Sequence, residues 1–196
     1  ELGRRAKLAH KLLLQLFSAN SNIQQYFYLS GGTALSEYYL HHRLSEDLDF
    51  FTETEIDPIS VQSFLKSIST NEIVKTEFTY YPFTQLEQPK IIDSIKIDSL
   101  LDIAVNKTFT IYQKPRSRDF IDLYLIIKEK GWNFTDLRKK ARSKFETHMD
   151  PLQMAKQLLE VGAVADYPRM ISPLEPAVWQ NFWKQEAANL KDEVLV

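Results

Sequence analysis

The stretch Tyr28–Phe51, YLSGGTALSEYYLHHRLSEDLDFF, constrains the fold of this chain more than any other. A short apolar run ends at Gly31-Gly32-Thr33, a helical segment follows, and a second run carries Asp47 and Asp49 with one residue between them. Strand, glycine turn, helix and strand in that order spell out a mixed α+β unit. Residues two apart on a strand share a face, so both carboxylates point one way while Leu48 and Phe50 point to the core. Two oxygen donors on one face, beside a turn friendly to anions, are what a magnesium-dependent phosphoryl or nucleotidyl transferase needs.

The rest of the chain extends this plan. Arg4–Phe17 reads as an amphipathic packing helix; its apolar part is interrupted by His10, Lys11 and Gln15 and has neither the h-region nor the cleavage site of a signal peptide. Tyr26–Ser30 is the strand before the turn, and Thr33 is placed to cap a helix reaching His42. Asp57-Pro58 reads as a helix start, with Ile59, Phe64, Leu65 and Ile68 on its buried side. Glu72–Tyr81 alternates cleanly, with Lys75, Glu77 and Thr79 on the polar face, and Ile91–Ile97 reads as one shorter strand. Helices follow from Ser99 to Tyr112 and from Arg118 to Lys130, where Gly131 is the natural stop. Beyond it the chain is all helical, with starts at Thr135, Asp150-Pro151 and Ser172-Pro173. The expected organisation is an α+β core over 1–131 and a helical region over 132–196.

Composition removes several function classes. A formal charge of −2 argues against broad, non-specific nucleic-acid binding, although Arg138, Lys139, Lys140, Arg142 and Lys144 form a local basic stretch. With no cysteine there is no disulfide, thiol nucleophile or cysteine-bound zinc, which favours the cytoplasm. No apolar run approaches the roughly 20 residues that span a bilayer, so no membrane role is expected. The chain begins at Glu1 rather than methionine, as a processed or trimmed chain would. His41 and His42 lack zinc-site spacing and read as cations at a helix C-terminus. The tryptophan-bearing C-terminal helix reads as core or interface rather than as a stacking platform.

Taken singly, a Gly-Gly pair is an ordinary turn and a D-x-D an ordinary solvated strand. Two carboxylates on one face do repel, however, and a divalent cation relieves that economically. In order, the motifs resemble the AbiEii/AbiGii toxin family within the DNA polymerase β-type nucleotidyltransferase superfamily. The resemblance rests on G-G-T-A-L at Gly31–Leu35, R-x-S-x-D-x-D at Arg43–Asp49, D-I-A-x-x-K at Asp102–Lys107 and R-D-x-x-D-L-Y at Arg118–Tyr124. It implies a nucleotidyltransferase fold, with a small mixed sheet flanked by helices and a helical C-terminal part.

It also implies roles. Gly31, Gly32 and Thr33 match the nucleotide-phosphate turn, with Ser45 near the phosphates, and Asp47 and Asp49 match the metal pair. Lys107 matches a lysine that neutralises phosphate; the plainer alternative for it and for Arg118 is a helix-surface ion pair with Asp102 or Asp122. Asp119 and Asp122 match a late acidic motif, one of them catalytic or metal-adjacent. Glu77 is nominated as third carboxylate, as metal ligand or base, with Asp93 and Asp98 as rivals. The implied activity is transfer of NMP from an NTP to an acceptor hydroxyl with magnesium, or manganese in its place. RNA, tRNA in particular, is the favoured acceptor, its backbone met by Arg138–Lys144, and an AbiEi-like antitoxin is the expected partner. Two alternatives stand beside it: an inactive NTP-binding module working through protein partners, and a small-molecule transferase of the aminoglycoside kind.

Overall fold

A computed structural model of the chain describes residues 2–68 and 74–194. Packing divides it into two compact units, Glu1–Ser99 and Leu100–Val196. The change in sequence character at Gly131 is a separate criterion: helices that follow a sheet in sequence can still bury their stripes against other helices.

The first unit runs α1 (Leu2–Ala19), α2 (Ser21–Gln24), β1 (Tyr28–Ser30), α3 (Gly31–Leu35) continued by one π-helical turn (Ser36–Leu40), and β2 (Asp47–Thr52). It goes on through α4 (Pro58–Ser67), β3 (Lys75–Tyr80), β4 (Lys90–Ile92) and β5 (Ile95–Ile97). The described strands form a five-stranded mixed sheet in the order β3-β2-β1-β5-β4. β1 pairs antiparallel with β2 and parallel with β5, β2 pairs parallel with β3, and β4 pairs antiparallel with β5.

One face of this sheet is apolar. The register aligns Ile97, Leu29, Phe50 and Phe78 across four strands. Phe50 stacks on Phe78 at 5.2 Å and on Phe17 of α1 at 4.2 Å, and Phe64 of α4 meets Phe78 edge-on at 6.1 Å. Phe17, Phe50 and Phe64 are fully buried, and side chains buried this fully contribute about 1.5–3 kcal/mol each. The four-residue spacing of Ala9, Leu13 and Phe17 turns one stripe of α1 to this core.

Four details of this unit depart from the sequence-based expectation. Ile59 and Leu65, expected on the buried side of α4, are exposed, and Phe64 alone of that stripe is fully buried. Ile91–Ile97 is a hairpin rather than one strand, because Asp93 and Ser94 adopt φ of 49° and 64°. Left-handed dihedrals at both central residues make the two-residue turn whose twist matches the flanking strands. Thr33 lies inside α3, with Ser30 as N-cap, and its hydroxyl donates to the carbonyl of Asp47 instead of capping. The strand before the turn starts at Tyr28, leaving Tyr26 exposed. Glu72 and Ile73, expected in the strand that contains Glu77, lie outside the described residues.

The second unit is helical: α5 (Leu100–Gln113), α6 (Ser117–Lys130), α7 (Phe134–Lys144), α8 (Pro151–Leu159), one 3₁₀ turn (Glu160–Gly162), α9 (Pro176–Asn189) and α10 (Lys191–Val194). Gly131, at φ 65°, closes α6 as expected. Asp150 caps α8 by accepting from the Gln153 amide at 2.7 Å. The α7 cap is Asn133, which accepts from the Thr135 amide at 2.7 Å. α9 starts at Pro176 rather than near Pro173, since the residue before a proline is pushed out of the helical region and Glu175 is extended. Trp179 and Trp183 are core residues, and the Trp183 indole donates to the Phe120 carbonyl at 3.0 Å.

Candidate active site

The face of the sheet opposite the aromatic core carries the charged residues. Ser30, Asp49 and Glu77 stand in register across β1, β2 and β3, and Asp47 pairs with Lys75 one row along. Leu48 and Phe50 are fully buried on the other side, so the alternation of β2 is what presents both aspartates together. Asp98, one residue past β5, extends the row: its amide donates to the Leu29 carbonyl at 2.9 Å, and its carboxylate accepts from Ser30 Oγ at 2.7 Å.

The glycine turn is locked into this face by two side chains. Gly31 has φ +68°, and a Cβ there would overlap Asp49 Oδ2, with Asp49 Cγ at 3.2 Å and Cβ at 3.4 Å. A Cβ on Gly32 would overlap Arg43 Nη2 and lie 3.1 Å from Ser45 Oγ. The room left by the absent side chains is therefore filled by the protein's own carboxylate and guanidinium. Arg43 is buried, with Nη1 donating to the Leu44 carbonyl at 3.0 Å. The Thr33 hydroxyl on the Asp47 carbonyl ties the first turn of α3 to the start of β2. His10 Nε2 lies 2.9 Å from the Glu46 carbonyl just before it.

Lys75 organises the charges nearby. Its Nζ lies 2.6 Å from Glu77 Oε1 and 3.7 Å from Asp47 Oδ2. The hydrogen bond to Glu77, and then the Asp47 charge, raise the lysine pKa above its ordinary value. Lys75 and Glu77 are both at least half exposed, so their pairing is weak and exchangeable. Among the described residues, no group of three or more histidine, cysteine or carboxylate side chains is arranged to hold a metal ion. The donor chemistry of Asp47 and Asp49 still suits magnesium, which commonly takes one or two carboxylates and completes its shell with water and substrate phosphate.

The rival carboxylates are engaged otherwise. Asp98 is fully buried, and besides Ser30 it accepts from Gln85 Nε2 at 2.7 Å and the Ser99 amide at 3.2 Å. Asp93 sits in the β4–β5 turn.

In the second unit the remaining candidates meet one another. Lys107 Nζ of α5 lies 2.9 Å from Asp119 Oδ1 and 2.8 Å from Asp122 Oδ2 on α6. All three are buried, unlike a surface ion pair. The other oxygen of Asp119 accepts from the Arg116 amide at 3.2 Å, closing the first turn of α6. Asp102 pairs instead with Lys144 at 2.6 Å, both fully enclosed, and Arg138 grips Glu193 with two bonds of 2.9 Å. Two of the five cations in Arg138–Lys144 thus serve the interior.

Arg43, Lys75 and Ser30 are contributors to which the motifs assign no role, and Asp98, a rival for the third carboxylate, is placed by its bond to Ser30. The signal for Arg43 was its place two residues before Ser45 in R-x-S-x-D-x-D. For Lys75 it was the alternation that put it on the same strand face as Glu77. Nothing in the sequence joins Asp98 to Ser30.

Comparison with known proteins finds a matching family, a sequence relative and two structures of similar fold. The family model described as "Nucleotidyl transferase AbiEii toxin, Type IV TA system" matches residues 13–73 and 67–194. An uncharacterized protein of Aquifex aeolicus (strain VF5) is 32% identical over 137 residues, which are 61% of this chain and 66%, just under two thirds, of that protein. The crystal structure of JHP933 from Helicobacter pylori matches with a TM-score of 0.62 at 18% identity, over 99% of this chain and 94% of that one. A second H. pylori structure, described as a candidate nucleotidyltransferase, matches with a TM-score of 0.61 at 16% identity, over 99% and 96% of the two chains. The fold is that of these two structures.

Proposed function

This chain belongs to the AbiEii nucleotidyl transferase toxin family of type IV toxin–antitoxin systems, and on that premise we propose that it transfers a nucleoside monophosphate from an NTP to a hydroxyl of RNA, tRNA in particular. The observation that carries the proposal is the polar sheet face, where Asp47 and Asp49 lie together and Asp49 is seated against Gly31. In this reaction the acceptor oxygen forms a bond to the α-phosphorus, the bond to pyrophosphate breaks, and the hydroxyl proton passes to a base.

Asp47 and Asp49 are the residues that would hold magnesium; the ion would supply charge neutralisation at the phosphates. Asp49 is seated against Gly31, and Arg43, packed against the neighbouring Gly32, brings a positive charge to the same turn. Glu77 is the base candidate, standing opposite Asp49, and it is available once Lys75 releases it. Lys107 can take a phosphate-neutralising role only by giving up one of its two carboxylates. The biological setting is a cytoplasmic toxin restrained by an AbiEi-like antitoxin. Among the described residues, no helix is long and apolar enough to cross a membrane.

The Lys75–Glu77 pair and the absence of a three-carboxylate group among the described residues favour one second reading: an NTP-binding module without transfer activity. Calorimetric titration with NTP and magnesium, read beside growth on expression, separates the two. The transferase reading expects growth arrest that is relieved by Asp47→Ala or Asp49→Ala. Arrest that persists in both variants refutes catalysis as its cause. Labelling of aminoglycosides rather than RNA would move the acceptor to small molecules.

A further inference from the structure

The basic stretch of α7 divides into two faces with different employment. Leu137, Arg138, Ala141, Lys144 and Phe145 are buried. Lys139, Lys140 and Arg142 are exposed. At the end of the helix the backbone of Glu146 turns left-handed, at φ 45°, and swings Thr147 and His148 back beside that face. The result is a shallow concavity of about 440 Å³ lined by Lys139, Arg142, Ser143, Glu146, Thr147 and His148.

We propose that this concavity binds the phosphodiester backbone of RNA, with Lys139 and Arg142 as its cations and the Ser143 hydroxyl as a neutral donor; the Thr147 hydroxyl is held by the Phe145 carbonyl at 2.8 Å. The plain alternative is that the cations serve the α7 dipole. The chain already caps that terminus itself: the amides of Phe145, Glu146 and Thr147 donate to the carbonyls of Ala141, Ser143 and Arg142 at 3.0, 3.4 and 3.3 Å. Three acidic groups act on the patch: Glu146 on its wall, Asp136 at 3.4 Å from Lys139, and Glu193, which Arg138 holds and whose pKa Arg142 and Lys139 also lower. The Asp136 pair is largely solvent-exposed on both sides, so a phosphate can displace it at little cost. On a chain whose net charge is −2, such a patch is a local feature rather than a general attraction.

Choosing RNA as the polyanion rests on the proposed transfer reaction; the basic face itself does not. The test is fluorescence anisotropy of a labelled single-stranded RNA 20-mer over a salt series. It compares the full chain, Lys139→Ala/Arg142→Ala, and the exposed control Lys184→Ala. Each lost phosphate contact lowers the slope of log affinity against log salt by about 0.7, so the double variant should lose about 1.4 units, or about 25-fold in affinity at 0.1 M salt. Lys184→Ala should bind as wild type does. The proposal is overturned if wild type does not bind RNA, if the double variant binds equally, or if Lys184→Ala loses as much. Competition by polyglutamate as effective as by RNA at equal charge would also overturn it, in favour of an acidic protein surface. A wild type that binds RNA through this face yet labels none supports the patch and counts against the transfer reaction.

Discussion

Three glycines separate backbone strain from side-chain crowding, and their alanine variants should rank accordingly. Gly131 has φ +65° with nothing within 4 Å of an added Cβ, so Gly131→Ala meets only the left-handed backbone penalty, about 1–2 kcal/mol. Gly31 has nearly the same φ, +68°, but its Cβ would also run into Asp49 along the side chain back to Cβ. Overpacking of this kind adds about 1–3 kcal/mol, which brings Gly31→Ala to about 2–5 kcal/mol. Gly32 carries no left-handed penalty, and alanine gains about 0.5–1 kcal/mol over glycine within a helix. That gain partly offsets the collision with Arg43 and Ser45, so Gly32→Ala should fall below Gly31→Ala. Urea unfolding followed by circular dichroism measures all three. Tryptophan fluorescence adds a separate view of the second unit, because Trp132, Trp179 and Trp183 all lie there. Each variant is referred to the transition of its own unit, since two units need not melt together. Gly31→Ala should also lose magnesium-dependent nucleotide binding while Gly131→Ala keeps it. A Gly31→Ala cost no larger than that of Gly131→Ala would refute the seating of Asp49 on the turn.

Asp122→Ala removes one of two carboxylates from the buried Lys107 ammonium and should cost about 3–5 kcal/mol in denaturant unfolding of the second unit; a cost under 1 kcal/mol would mean that the lysine reaches solvent. Glu193 titrates below the ordinary glutamate range because Arg138 hydrogen-bonds its carboxylate. Its stabilisation is complete above the unfolded value of about 4.3 and is lost as pH falls through the lower folded value. The stability difference between wild type and Glu193→Gln should therefore be level at neutral pH and close under acid; a level difference down to pH 2 contradicts the clamp. Ser94→Gly should stabilise the first unit by about 1 kcal/mol, because glycine adopts the left-handed turn freely, and thermal melting reads the sign.

Local chemistry made most of the fold legible. The alternation in β2 and β3 showed which side chains share a face, and Gly131 and Asp150-Pro151 marked helix ends that the structure keeps. The hairpin at Asp93-Ser94 escaped notice because neither residue is glycine, so the turn depends on strand pairing rather than on a strong local preference. The two faces of α7 were equally hidden: five cations in seven residues look alike until Asp102 and Glu193 claim Lys144 and Arg138. The spacing of the glycine turn marks a place where backbone comes close to a neighbour, but its packing against Asp49 and Arg43 is long-range and shows only in the fold. Spacing along the chain located Asp47 and Asp49; only the strand register showed Ser30 and Glu77 beside them.

The central claim is that Asp47 and Asp49 support transfer of a nucleotide to RNA. The most direct test incubates the purified chain with total RNA, magnesium and each NTP labelled at the α-phosphate, then measures label that remains on RNA after denaturing electrophoresis. The account predicts label from wild type with magnesium, none after chelation, and none from Asp47→Ala or Asp49→Ala. Equal labelling by wild type and the two variants would contradict it, and so would a wild type that binds NTP tightly but labels no RNA.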